Sequence, residues 1–296
     1  MKFGSVDQPG QVDFSLPADH PGTAATLAES KRIGSLNVYV GCAKWNSREL
    51  KNFYPKGTKD ELEYYGSQFN AVELNATFYN TFDADQMATW RGKVQEGFRF
   101  FPKVNRYISH RKWLSGIKEA TDDFYNHIVH FGEKLGTTFL QLRGKFAPKY
   151  FDRVQQFVEY WPEGVPLAIE FRHSDWFNDP AVADKLYALL EEHDVANVIT
   201  DTAGRRDLLH MRLTNNEVFI RYVGANHPTD YTRLDDWVQR LDKWTGQGLE
   251  NIHFFVHQNK EQKSPELAAH FISRLNESLG LNLDIPKSRG GQSELF

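Results

Sequence analysis

Six positions scattered over 150 residues of the chain carry side chains suited to holding and transforming an anion. Glu73 and Asn75 lie in Ala-Val-Glu-Leu-Asn-Ala-Thr-Phe-Tyr, from Ala71 to Tyr79, and Glu170 and Arg172 lie in Leu-Ala-Ile-Glu-Phe-Arg-His, from Leu167 to His173. Lys103 ends Gly-Phe-Arg-Phe-Phe-Pro-Lys, and Arg221 sits in Glu-Val-Phe-Ile-Arg-Tyr-Val. Arginine offers a planar fork that matches phosphate oxygens. A carboxylate beside it can take a proton or bind a divalent metal, and an amide can orient a substrate. His110 and His257 extend the set as further substrate-binding candidates.

Chemistry of this kind needs elements that bring distant residues together. Side chains alternate along a strand, so Val72, Leu74, Ala76 and Phe78 share one face while Glu73, Asn75, Thr77 and Tyr79 share the other. In Leu167–Arg172 the same rule puts Leu167, Ile169 and Phe171 on one side and Ala168, Glu170 and Arg172 opposite. Strand-like runs occur at 37–43, 71–79, 97–104, 137–143, 166–172, 196–201, 217–223 and 251–258.

Helical patterns fill the gaps. Thr58 with Glu61 reads as a capping box. Phe124, Ile128, Phe131 and Leu135 keep helical spacing, with Gly136 as a stop. Asp179-Pro180 and Ser264-Pro265 read as helix starts, and Thr232 precedes Leu234, Trp237, Leu241 and Trp244. Eight strands alternating with helices over about 245 residues predict an α/β fold, a single (β/α)8 TIM-type barrel. The competing open sheet usually shows a Gly-rich turn after its first strand, which Gly-Cys-Ala-Lys-Trp-Asn is not. We divide the chain into an N-terminal extension over 1–36, the barrel over 37–285 and a short flexible tail over 286–296.

Composition narrows the partners. The 296 residues are 40% hydrophobic and 14% aromatic with a net charge of −4, so no global basic field announces nucleic acid. A single cysteine, Cys42, excludes an internal disulfide and a cysteine-based zinc site. The N-terminus lacks the apolar core of a signal peptide and no run is long enough to span a bilayer, so the expectation is a cytoplasmic protein without membrane contact.

The chain resembles the YecE-like family, also called the domain of unknown function 72. The resemblance rests on Gly41 with Trp45, Phe53-Tyr54-Pro55, Val72–Asn75 continuing to Thr77–Tyr79, Trp90, Lys103, His110 and Gln141-Leu142. Glu170–His173, Trp176 and Arg221 complete it. It implies a TIM barrel and no particular activity. Lys44, Arg143, Val223 and the His257-Gln258-Asn259 ending depart from the family pattern and mark a divergent branch.

Three functions follow from these residues. In the first, Arg172, Arg221 and Lys103 hold a phosphate-bearing ligand at the C-terminal rim. Glu73 or Glu170 acts as base, and the reaction is phosphoester or phosphodiester hydrolysis linked to DNA metabolism. In the second, Glu73 and Glu170 are the carboxylate pair of a glycoside hydrolase, with Trp45, Trp90, Trp113 and Trp176 against the sugar. In the third, the C-terminal Gln-Ser-Glu-Leu-Phe resembles a peptide that binds the bacterial sliding clamp. Gln292, Leu295 and Phe296 then tether a non-catalytic adaptor. A metal, if used, would be Mg or Mn on Glu73, Glu170 or Asp201. His253 and His257 share a strand face but lie about 13 Å apart along it, too far for one ion.

Overall fold

The computed structural model of the protein describes residues 4–29 and 35–287. Among these the strands are β1 (Asn37–Cys42), β2 (Ala71–Leu74), β3 (Arg99–Pro102), β4 (Thr138–Gln141), β5 (Leu167–Glu170), β6 (Ala196–Asn197), β7 (Ile199–Thr202), β8 (Glu217–Gly224) and β9 (Asn251–Gln258). The helices are α1 (Pro21–Glu29), α2 (Glu61–Gly66), α3 (Ala76–Tyr79), α4 (Ala84–Gly92), α5 (Lys118–Ile128), α6 (Phe151–Tyr160), α7 (Asp175–Asn178), α8 (Pro180–Glu192), α9 (Thr229–Gln247) and α10 (Ser264–Leu279).

Every strand pairing is parallel, in the orders β3-β2-β1-β9-β8-β7 and β4-β5-β6. Two seams join these arcs into a ring. Between β3 and β4, Gly136 N–H donates to Phe100 O at 2.7 Å and Val104 N–H to Phe139 O at 2.9 Å. The second seam is a handover, in which β6 pairs with β5, Val198 N–H donates to Ile169 O at 3.0 Å, and β7 continues on β8. β6 and β7 are thus one barrel strand, and the TIM-type architecture read from the sequence is the one the chain adopts.

Glycine decides one of these approaches. A Cβ on Gly41 would lie 2.0 Å from Ala71 O, so any other residue would force β1 and β2 apart. In that gap the Tyr65 hydroxyl accepts from Cys42 N–H at 2.7 Å and donates to Ala71 O at 2.9 Å.

The alternation of each strand separates two apolar regions. Outward residues such as Val38, Val72, Ile220 and Phe254 pack under the helices, and the opposite half of the ring does the same with Leu140 and Ile169. Inward, Ala71, Phe101, Phe139, Ala168, Ala196, Val198, Phe219 and Phe255 fill the barrel with Tyr39 beside them. Large rings opposite alanines let the interior close without a channel.

Several local expectations need correction. β2 stops at Leu74, and Ala76–Tyr79 turns helically, so Asn75, Thr77 and Tyr79 do not continue its inward face. The cap of α2 is Asp60, which accepts from Leu62 and Glu63 N–H, whereas the Thr58 hydroxyl donates to Pro55 O. α9 begins at Thr229, so Thr232 lies inside its first turn. α5 ends at Ile128 and the chain continues in 3-10 turns to Lys134, which leaves Gly136 as a strand contact. α1 was not visible as a period in the sequence; it is held by docking, with Thr23 Oγ1 donating to Met211 O at 2.9 Å.

Asp201 points outward. Its partner across the ladder is Tyr222, an outer-core residue, and its oxygens accept from Arg233 Nη2 and Trp237 Nε1, each at 2.8 Å, and from Arg206. This ties β7 to α9 and removes Asp201 from the central set. Replacing Asp201 with alanine would leave buried Arg233 with Asp230 alone and Trp237 Nε1 without its acceptor, and urea unfolding should show a loss of about 3 kcal/mol. The partly exposed Arg205–Asp207 pair serves as control, where Asp207→Ala should cost about 0–1 kcal/mol.

Candidate functional site

Two residues beyond seven of the plug residues, the strands place a second inward layer nearer their C-terminal ends. Ala71 is followed by Glu73, Phe101 by Lys103, Phe139 by Gln141, Ala168 by Glu170, Val198 by Thr200, Phe219 by Arg221 and Phe255 by His257. Period-two geometry therefore stacks a layer of ionic and amide groups directly on an aromatic floor.

Arg221 is the centre of that layer. Its Nε and Nη2 donate to the two oxygens of Glu73, both at 2.8 Å, and its Nη1 donates to Glu170 Oε2 at 2.6 Å. Glu73 accepts two more bonds, from Asn75 Nδ2 at 2.6 Å and from His257 Nε2 at 2.9 Å. The short contact to a carboxylate assigns the ring proton to Nε2. Glu170 also accepts from Arg172 Nε at 2.5 Å and Gln141 Nε2 at 2.7 Å, while Gln141 Oε1 accepts from Lys103 Nζ at 2.9 Å.

Exposure grades outward from this centre. Glu73 and Glu170 are buried completely, whereas the Arg172 and His257 side chains retain 18% and 12% exposure. Lys103 Nζ sits 4.4 Å from the centre of the Phe78 ring, and His110 packs edge-on against the same ring at 4.9 Å. The His110 ring accepts from, or donates to, Ser109 Oγ at 2.9 Å.

The charges respond to this setting. Burial alone would raise the Glu73 carboxyl, but Arg221 and then His257 outweigh it and hold it well below the usual range. Glu170 is lowered in the same way, with Arg172 and Arg221 overcoming burial. Burial, then Arg221, pushes the Lys103 ammonium down to about 7. Burial, then Lys103, pushes His110 down to about 4, so its imidazole is neutral at physiological pH.

The structure thus brings Glu73, Asn75, Lys103, Glu170, Arg172, Arg221 and His257 together, with His110 beside them. Gln141 was missed as a site residue, although its place two positions after Phe139 marks it as inward. Strand alternation places Phe78 on the outer face; the helical turn of α3 instead carries it under Lys103 and His110. Trp176 is buried with Nε1 on Phe146 O, and Trp45 packs on Trp90, so neither lines the charged layer. Gln292, Leu295 and Phe296 lie outside the described residues.

The donor set suits some chemistries better than others. Glu73 has its four acceptor positions filled, which makes it a positioning group for Arg221 more than a base. Neither carboxyl is raised, the shift a glycosidase needs in its acid. Among the described residues no group of three or more His, Cys, Asp or Glu side chains could hold a metal ion. Cations already occupy the carboxylate oxygens, so Glu73 and Glu170 do not fit a divalent ion.

Fold and site define a TIM-type barrel with an ion-paired layer at its C-terminal rim. A family model described as "Protein of unknown function DUF72" matches residues 39–289, and the chain belongs to that family. The UPF0759 protein YecE of Escherichia coli (strain K12) is 25% identical over 264 residues, 82% of this chain and 94% of that protein. The UPF0759 protein YunF of Bacillus subtilis (strain 168) is 25% identical over 206 residues, covering 64% and 71%. The fold matches crystal structures of DUF72 family proteins. That from Enterococcus faecalis V583 has a TM-score of 0.67 at 20% identity, covering 85% of this chain and 98% of the other. That from Thermotoga maritima MSB8 has a TM-score of 0.64 at 23% identity, covering 81% and 99%. No described helix is long and apolar enough to cross a membrane.

Lowered carboxyls fix the sign of the acid response. Glu73 and Glu170 contribute stability that is complete above their unfolded value of about 4.3 and is lost as pH falls towards their folded values. Arg221→Met should cost about 3–5 kcal/mol near neutrality, because both buried carboxylates lose the guanidinium they share. Protonated carboxyls no longer need the guanidinium, so the gap between wild type and variant in urea midpoints should narrow below about pH 5.

Proposed function

We propose that the charged layer binds a phosphate-bearing anion at the C-terminal rim and supports hydrolysis of its phosphoester or phosphodiester bond. The observation that carries this reading is a charge imbalance. Arg172, Arg221 and Lys103 stand against two carboxylates, Glu73 and Glu170, whose charge is already matched within the layer. When Lys103 is protonated the layer holds one surplus positive charge above a sealed apolar floor, where an anion gains most from it. The proposed ligand meets Arg172 and His110 first, since these are the more exposed members.

Lys103 is the proton carrier of the proposed reaction. Water oxygen adds to phosphorus, the ester P–O bond breaks, and the leaving oxygen takes the proton of the Lys103 ammonium. The amine then recovers a proton from the water that attacked. A lysine near 7 suits both halves of that exchange. Gln141 positions it, and Phe78 and Phe139 keep bulk water from its flanks.

Proton linkage tests the reading through binding alone. Sulfate keeps its charge across the range, so its calorimetric affinity should fall about tenfold per pH unit above about pH 7, as Lys103 loses its proton. Lys103→Met should abolish that dependence and most of the affinity. With p-nitrophenyl phosphate and bis(p-nitrophenyl) phosphate, the same variant should lower turnover by about 10²–10⁴-fold. Sulfate binding that is indifferent to pH, or intact in Lys103→Met, overturns the reading.

A further inference from the structure

The flank of the rim beyond Lys103 carries a different signal. From Gly97 to Lys118 the chain contains six lysines and arginines and no carboxylate, in a protein whose net charge is −4. The stretch Arg143–Lys149 adds more cations and again no acid. Arg106, Arg111, Lys112 and Arg143 are exposed, and among the described residues none of them forms a salt bridge. Elsewhere surface cations such as Lys44, Lys93 and Lys243 do find carboxylates.

Three loops fuse into one surface here. Arg143, after β4, donates to His110 O at 3.2 Å and lies 5.5 Å from the Trp113 ring centre, both in the loop after β3. Arg106, from that same loop, lies 5.8 Å from the ring centre of Tyr79, which follows β2. Lys112 lies 5.6 Å from the ring centre of Tyr107. Tyr79 and Tyr107 are 58% and 42% exposed, and with Ile285 they are the large hydrophobic side chains left exposed among the described residues. A water-facing ring beside an unneutralised cation recurs at both positions.

We propose that this flank is a docking surface for single-stranded nucleic acid. Arg106, Arg111, Lys112 and Arg143 contact successive phosphates, and Tyr79 and Tyr107 offer faces on which unpaired bases stack. An acidic protein would use the cations but leave the rings without a planar partner, and duplex DNA keeps its bases inside the stack. The inference goes beyond the phosphate-binding layer and does not depend on it, because none of these side chains belongs to that layer.

Fluorescence anisotropy with a fluorescein-labelled oligothymidylate tests it on the full chain. Binding should weaken with salt, with a log–log slope of about −3 for four engaged cations at ~0.7 each. Arg106→Gln with Lys112→Gln should reduce that slope by about 1.4. Tyr79→Ala and Tyr107→Ala should each weaken binding about tenfold with the slope unchanged. Lys243→Gln, an exposed cation on α9 outside both sites, should bind the oligonucleotide like wild type, which separates this surface from general surface charge. Absence of binding at low salt overturns the proposal. So does binding of heparin or the matching duplex as tight as that of the single strand, with both tyrosine variants unaffected, since the flank would then select charge alone. Circular dichroism of these surface variants confirms that any loss is not unfolding.

Discussion

One guanidinium, that of Arg221, holds the upper half of the barrel in register. It reaches Glu73 on β2 and Glu170 on β5, strands that lie on different arcs of the ring and share no ladder. Because Glu73 also takes Asn75 and His257, and Glu170 takes Arg172 and Gln141, side chains from five strand ends, that of Arg221 included, are fixed by reference to this one group. Buried ion pairs of this kind add little net stability over apolar packing, yet removing one member is costly. Their presence is therefore better explained by what they position than by what they stabilise.

The layer depends equally on what lies beneath it. Phe101, Phe139, Phe219 and Phe255 exclude water from one side, which strengthens every electrostatic interaction above them. The same exclusion depresses Lys103, so the aromatic floor and the near-neutral lysine are one effect seen twice. Outside the ring, Asp201 with Arg233 and Trp237 performs the complementary task of clamping β7 to α9.

Much of this could be read from the sequence, and the exceptions are physical. Strand periodicity gave the inward direction of Glu73, Glu170 and Arg221 because alternation survives any tertiary context. It failed at Asn75–Tyr79, where the chain leaves the sheet and turns helically, and periodicity carries no warning of such a switch. Asp201, a metal candidate by residue type, follows the inward Thr200 by one position, and one position sends a side chain to the opposite face. The pairings themselves were not legible, since hydrogen-bond partners between β2, β5 and β8 depend on barrel curvature. Capping residues were the least secure: Thr58 and Asp60 are both good caps, and only the local backbone selects Asp60.

The packed interior has a consequence for traffic. A phenylalanine floor leaves no corridor through the barrel axis, so whatever enters must depart by the same doorway it used. For a ligand of the kind proposed, occupancy would enforce a queue, each guest vacating before the next could approach past the loops after β2, β3 and β4.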